Sequence, residues 1–138
     1  MTKEKLTKFL SKQKTAFLSS IDDNGFPCTR AMMAPRKIEK NAFWFSTNTS
    51  SKKVAQYAKN PNACLYFYRR GRFKFQGAML KGAVEICTDP QTKRDIWRFG
   101  DTLFYKGGVT DPDYCVLKFT ASEAEYYCDF KIETIPLE

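Results

Sequence analysis

Hydrophobic and polar positions change period several times along this chain, and each change marks an element. Across residues 2–13 the apolar Leu6, Phe9 and Leu10 fall on one helical face with lysines opposite, which predicts an amphipathic helix. Over 15–21 the pattern becomes that of a strand, and Asp22-Asp23-Asn24-Gly25 predicts a hairpin turn into a second strand over 26–34. Residues 36–41 form a polar turn, 42–47 a third strand and 50–59 a short helix closed by Asn60-Pro61. Residues 63–68 are apolar at both parities, as in a strand buried on both faces. Arg69-Arg70-Gly71-Arg72 reads as a basic turn.

The next run, 72–86, is apolar first at odd positions (Phe73, Phe75, Met79) and then at even ones (Leu80, Val84, Ile86). That change of phase predicts a β-bulge, placed at Gly77. Asp89 as cap and Pro90 at the first position open a helix expected to reach Phe99. Residues 100–112 read as a Gly- and Asp-rich loop, and 113–121 as a strand. The last strand, 123–132, is expected to turn Ala124, Tyr126, Cys128, Phe130 and Ile132 inward. Six or seven antiparallel strands, a bulge and three helices predict a mainly β fold, a small closed or split β-barrel with flanking helices.

The 138 residues predict a single domain, 1–138, with 43% hydrophobic and 15% aromatic residues to build its core. No apolar run reaches the length of a membrane span, and the N-terminus lacks a signal-peptide core. A cytoplasmic location without membrane contact is therefore expected. The five cysteines are scattered, with no Cys-x-x-Cys pair, so neither a zinc site nor a disulfide framework is predicted. Histidine is absent, which removes the usual general base and metal ligand, and any enzyme chemistry would fall to a cofactor.

Charge adds a location. Residues 30–81 carry 12 basic side chains and one acidic, Glu39, whereas residues 82–138 carry 6 basic and 11 acidic. The positive half surrounds Ser46-Thr47-Asn48-Thr49-Ser50-Ser51-Lys52-Lys53, where a strand runs into a helix start. Unpaired N–H groups, hydroxyls and lysines at a helix N-terminus suit a phosphate. The plainer alternative is that Thr49 or Ser50 caps the helix and the lysines are solvated. Arg30 is a charge on a mostly apolar strand face and needs a partner, either an anionic ligand or an acid elsewhere in the chain.

Two stretches, Gly25-Phe26-Pro27-Cys28-Thr29-Arg30-Ala31-Met32 and Phe45-Ser46-Thr47-Asn48-Thr49-Ser50-Ser51-Lys52-Lys53, followed by the long bulged strand, resemble the pyridoxamine 5'-phosphate oxidase-like FMN-binding split-barrel family. The resemblance is closest to its general stress protein subgroup. It implies an FMN phosphate held by Arg30, Ser51, Lys52 and Lys53. It also implies flavin contacts from Ala31, Met32, Met33, Ser46 and Thr47, and ring contacts from Gln76 and Gly77. Gln76 could equally be an ordinary exposed strand residue, and Trp97, which matches an aromatic position of the subgroup, is expected to pack in the core rather than stack on the ring. The resemblance further implies a homodimer with FMN at the subunit interface and a flavin-dependent oxidoreductase of unknown substrate.

Departures count against vitamin B6 oxidation. No Tyr, Arg and Ser triad stands out between Thr92 and Asp113, and Pro136-Leu137-Glu138 lacks the family's closing Trp and Arg segment. A non-catalytic flavin-nucleotide-binding stress protein is the second reading. A nucleic-acid-binding barrel is the third, since Arg69, Arg70, Arg72 and Lys74 interleave with Tyr66, Tyr68, Phe73 and Phe75. Strand alternation explains that pattern more simply, and the acidic second half argues against a nucleic-acid partner.

Overall fold

The computed structural model describes residues 1–137. Helix α1 (Lys3–Ser11) leads into β1 (Thr15–Ile21), β2 (Pro27–Met33), β3 (Lys37–Glu39) and β4 (Ala42–Asn48). Helix α2 (Lys52–Lys59) precedes β5 (Asn62–Arg70) and β6 (Phe75–Cys87), and α3 (Pro90–Ile96) precedes β7 (Tyr114–Cys128) and β8 (Lys131–Pro136). Two 3-10 turns, Asp101–Leu103 and Gly108–Thr110, lie between α3 and β7.

The strands form one antiparallel sheet in the order β2-β1-β5-β6-β7-β4-β3. β7 is long enough to serve two partners, pairing β4 over its first half and β8 over its second. The sheet curls but does not close. Its two ends are β2, whose outer edge is unpaired, and the part of β4 beyond Trp44, where β3 no longer covers it. The mainly β, split-barrel expectation holds.

Alternation drives the core. Leu18, Leu65, Phe67, Ala78, Leu80, Leu117, Phe119 and Ala124 are wholly buried, with Phe43 set between Phe67 and Phe119 at 6.2 and 6.0 Å. Helix α1 adds Leu6, Phe9 and Leu10, and α2 adds Val54 and Tyr57. A smaller cluster of Cys87, Ile96, Tyr114 and Val116 packs with Trp97 and Tyr105. Trp97 thus takes the core role, edge-on to Tyr114 at 4.9 Å.

Three expectations are corrected. The phase of β6 never flips: Ala78, Leu80 and Val84 all point inward, while Phe73 is exposed and Phe75 packs on the outer face against Tyr68 and Tyr127. The bulge is instead on β7, where Ser122 is the extra residue between the Ala121–Gly82 and Glu123–Lys81 pairs. The final alternation overruns its strand. Asp129 and Phe130 both have positive φ (51° and 66°), as a tight hairpin turn requires, and Phe130 and Ile132 are exposed. Finally, α3 stops at Ile96 because Trp97 leaves helical geometry and Gly100 turns left-handed at φ 97°.

Candidate functional site

The split is the candidate site. Residues 31–34 of β2 and its exit face residues 45–48 of β4 across a cleft of ≈ 250 Å³. Neither stretch has a strand partner on its outer edge, so outward-pointing backbone groups there that are not already bonded, as the Ala34 N–H and Asn48 carbonyl are, can meet a ligand. Lys53, Arg36 and Tyr105 complete the lining. Ala31, Met32, Met33, Ser46 and Thr47 therefore come together as the sequence suggested.

Arg30 and Ser51 do not line the cleft themselves, but around Lys53, which does, the electrostatics are one-sided. Arg30 Nη1 donates to Ser20 Oγ at 2.8 Å and, more weakly, to the Leu18 carbonyl at 3.4 Å. Ser20, itself buried, donates to Gln56 Oε1 on α2. Lys53 is half-buried on the first turn of α2, and burial followed by the nearby Arg30 charge lowers its ammonium pKa from 10.5. Among the described residues no carboxylate lies within ion-pair distance of Arg30 or Lys53. The salt-bridge alternative for Arg30 is thereby removed.

Ser51, rather than Thr49 or Ser50, is the N-cap of α2, yet its side chain makes no capping bond. Its Oγ is buried with no hydrogen-bond partner among the described residues. A buried hydroxyl left unpaired costs about 1–3 kcal/mol. Here it stands at the positive end of a helix dipole that also carries the uncompensated Lys53. An anion with several acceptor oxygens would relieve all of these groups at once.

Three residues suggested by sequence lie elsewhere in the subunit. Successive helical residues point about 100° apart, and Lys52 is exposed, lining a different cleft with Asp22, Asp23 and Lys59. Gln76 donates to the Tyr126 hydroxyl and sits opposite Cys128, with Gly77 opposite Tyr127. Ser46 sits opposite Val116, so Gln76 is twelve residues further along β7, roughly 40 Å of extended strand.

The cleft is also lined by Ala34, Arg36, Phe45, Asn48 and Tyr105, which the sequence reading did not name as site residues. Arg36 forks onto Asp101 through two bonds of 2.8 and 2.9 Å, and that contact holds the Asp101 carboxyl below its usual range. Asn48 was visible within the hydroxyl- and amide-rich stretch. Arg36 and Tyr105 gave no local signal, because the partners that place them are distant in sequence.

The described residues include no group of three metal-ligating side chains and no helix long and apolar enough to cross a membrane. A family model for pyridoxamine 5'-phosphate oxidase matches residues 2–128. A pyridoxine/pyridoxamine 5'-phosphate oxidase of Burkholderia thailandensis is 36% identical over 97 residues, 67% of this chain and 42% of the relative. The chain thus meets less than half the length of that enzyme. A solved structure from Clostridium acetobutylicum, of a protein related to general stress protein 26 in the pyridoxinephosphate oxidase family, superposes with a TM-score of 0.84 at 34% identity. It covers 99% of this chain and 97% of that one. General stress protein 26 of Bacillus anthracis shares the fold, with a TM-score of 0.78 at 23% identity over 98% of both chains. An open antiparallel barrel with these two motifs on either side of its split, matched along nearly its whole length, belongs to the pyridoxamine 5'-phosphate oxidase family.

Proposed function

We propose that the protein binds FMN in the split and is a flavin-dependent oxidoreductase acting on a small substrate other than a B6 vitamer. The observation that carries this reading is the orphaned Ser51 hydroxyl beside uncompensated Lys53 at the start of α2, with Arg30 close behind. Arg30, Lys53 and Ser51 would bind the phosphate, and Lys52 would add charge from outside the cleft. Ala31, Met32 and Met33 on one edge, with Ser46 and Thr47 on the other, would seat the ring. Bound flavin supplies hydride and electron transfer, so the protein's task is orientation and exclusion of water.

One subunit offers too little room. A cleft of ≈ 250 Å³ is below the ~300–1,000 Å³ usual for ligand pockets. A homodimer would enlarge it, with Gln76 and Gly77 of a second copy reaching the ring. Exposed Met33, Tyr68 and Phe75 support such an interface.

Titration of the purified protein with FMN, followed by flavin fluorescence, tests the reading. Saturable quenching at one FMN per subunit is expected, and absence of quenching would sink it. Reduction of the bound flavin by a nicotinamide donor would then separate an oxidoreductase from a flavin-storage protein.

A further inference from the structure

We propose that Tyr105 is the specificity-determining residue of the cleft, a fixed phenol donor to a carbonyl oxygen of the bound ring. Arg36 and Asp101 are the positioning residues that hold it there. The inference rests on the flavin reading and extends it to residues outside both recognised motifs.

Tyr105 lines the cleft beside Met33, Ala34 and Ser46. Its ring is wedged against Tyr114 at 4.9 Å and Trp97 at 6.1 Å, so it has little freedom to swing away. Its backbone N–H donates to the Asp101 carbonyl at 2.9 Å. The Asp101 carboxylate in turn takes both arms of Arg36 and the Arg98 N–H at 2.9 Å. Arg36 is tied to β4 through its own N–H, 2.7 Å from the Trp44 carbonyl. A continuous chain of bonds therefore runs from the β4 edge of the split to the Tyr105 backbone.

The phenol at the end of that chain has no hydrogen bond to any described residue. Unlike the Ser51 hydroxyl it is not wholly buried, so it is open to solvent and free to donate to a ligand. Burial pushes its pKa up to about 12, so it stays a donor at neutral pH. Ser46 offers the complement. The Tyr114 hydroxyl donates to the Lys93 carbonyl at 3.3 Å, so in its 3.4 Å contact with Ser46 the serine is the donor. Ser46 also lines the cleft, and with its proton directed to Tyr114 its oxygen is left to act as an acceptor. A donor and an acceptor on one wall match a ring edge with a carbonyl next to an N–H, which the pyrimidine end of a flavin carries.

The test compares wild type, Tyr105→Phe, Asp101→Asn and Arg36→Lys, each titrated with FMN and with ribose 5-phosphate. Loss of one neutral hydrogen bond predicts about fivefold weaker FMN binding in Tyr105→Phe, with a shifted visible flavin band. Ribose 5-phosphate affinity should stay within twofold of wild type. Asp101→Asn and Arg36→Lys keep the phenol but loosen it, and should move the flavin band in the same direction. Wild-type FMN affinity and an unshifted band in Tyr105→Phe would overturn the inference while leaving the flavin reading standing. An unshifted band in both positioning variants would remove the role of Arg36 and Asp101. A wild-type protein that does not bind FMN overturns the flavin reading and this inference with it.

Discussion

Arg30→Ala combined with Lys53→Ala is expected to weaken FMN binding about 100-fold. Each charge-assisted hydrogen bond to a phosphate oxygen contributes about 1.5–3 kcal/mol. Two at the low end give about 3 kcal/mol, on the order of two decades in Kd. Unchanged affinity in the double variant would remove the phosphate assignment. Without ligand the sign reverses at Lys53, whose charge is desolvated and faces Arg30 rather than an acid. Lys53→Met keeps the apolar stem and drops the charge, so it should raise the melting temperature of the apo protein while it weakens FMN binding. A fall in both would mean that Lys53 is a structural residue.

The pH dependence follows from the same group. The folded state depresses the Lys53 pKa below 10.5, so the protonated lysine costs stability. That cost is fully present below the folded-state pKa and disappears as pH rises through it towards 10.5. FMN affinity should fall over the same alkaline window as the ammonium is lost. Thermal melts of wild type and Lys53→Met between neutral pH and that window should converge as pH rises, and curves that stay parallel would exclude Lys53 as the titrating group.

What was legible in the sequence was local. The hairpin turn at Asp22–Gly25, the capped start of α3 at Asp89-Pro90 and the hydroxyl- and lysine-rich entry to α2 each carry their structure within a few residues, and each is present. The misreadings arose where local pattern and tertiary partner disagree. Phe73 and Phe75 look like core by composition, but the even-numbered side chains of β6 fill the interior. Ser122 carries no mark of a bulge, because a bulge is a relation between two strands and shows only once β6 and β7 are paired. Tyr105 lies in a stretch with no periodicity, and is placed by an Arg36–Asp101 contact that spans 65 residues. Lys52 and Lys53 look equivalent in sequence, yet the helical turn sends only Lys53 into the cleft.

Gly82→Ala is expected to destabilise the fold by on the order of 3 kcal/mol, the upper end of the usual overpacking cost. A Cβ there would sit 2.0 Å from the Thr120 carbonyl oxygen, 2.8 Å from its carbon and 2.9 Å from Ala121 Cα. All three are backbone atoms of the neighbouring strand, so no side-chain rotation relieves the clash. The only escape is to push β6 and β7 apart at the bulge, which would break the Gly82–Ala121 and Lys81–Glu123 pairs. A drop of roughly 10 °C in melting temperature should result. Gly25→Ala is the control. Gly25 has φ 81° with nothing within 4 Å of its added Cβ, so its substitution carries conformational strain alone, about 1–2 kcal/mol. The larger fall at Gly82 would show that close approach of two strands, rather than backbone conformation, demands glycine there. The reverse order would mean that the bulge gives way easily. The pairing on either side of Ser122 would then be a soft point in β7, the strand that carries β4 to its place across the split.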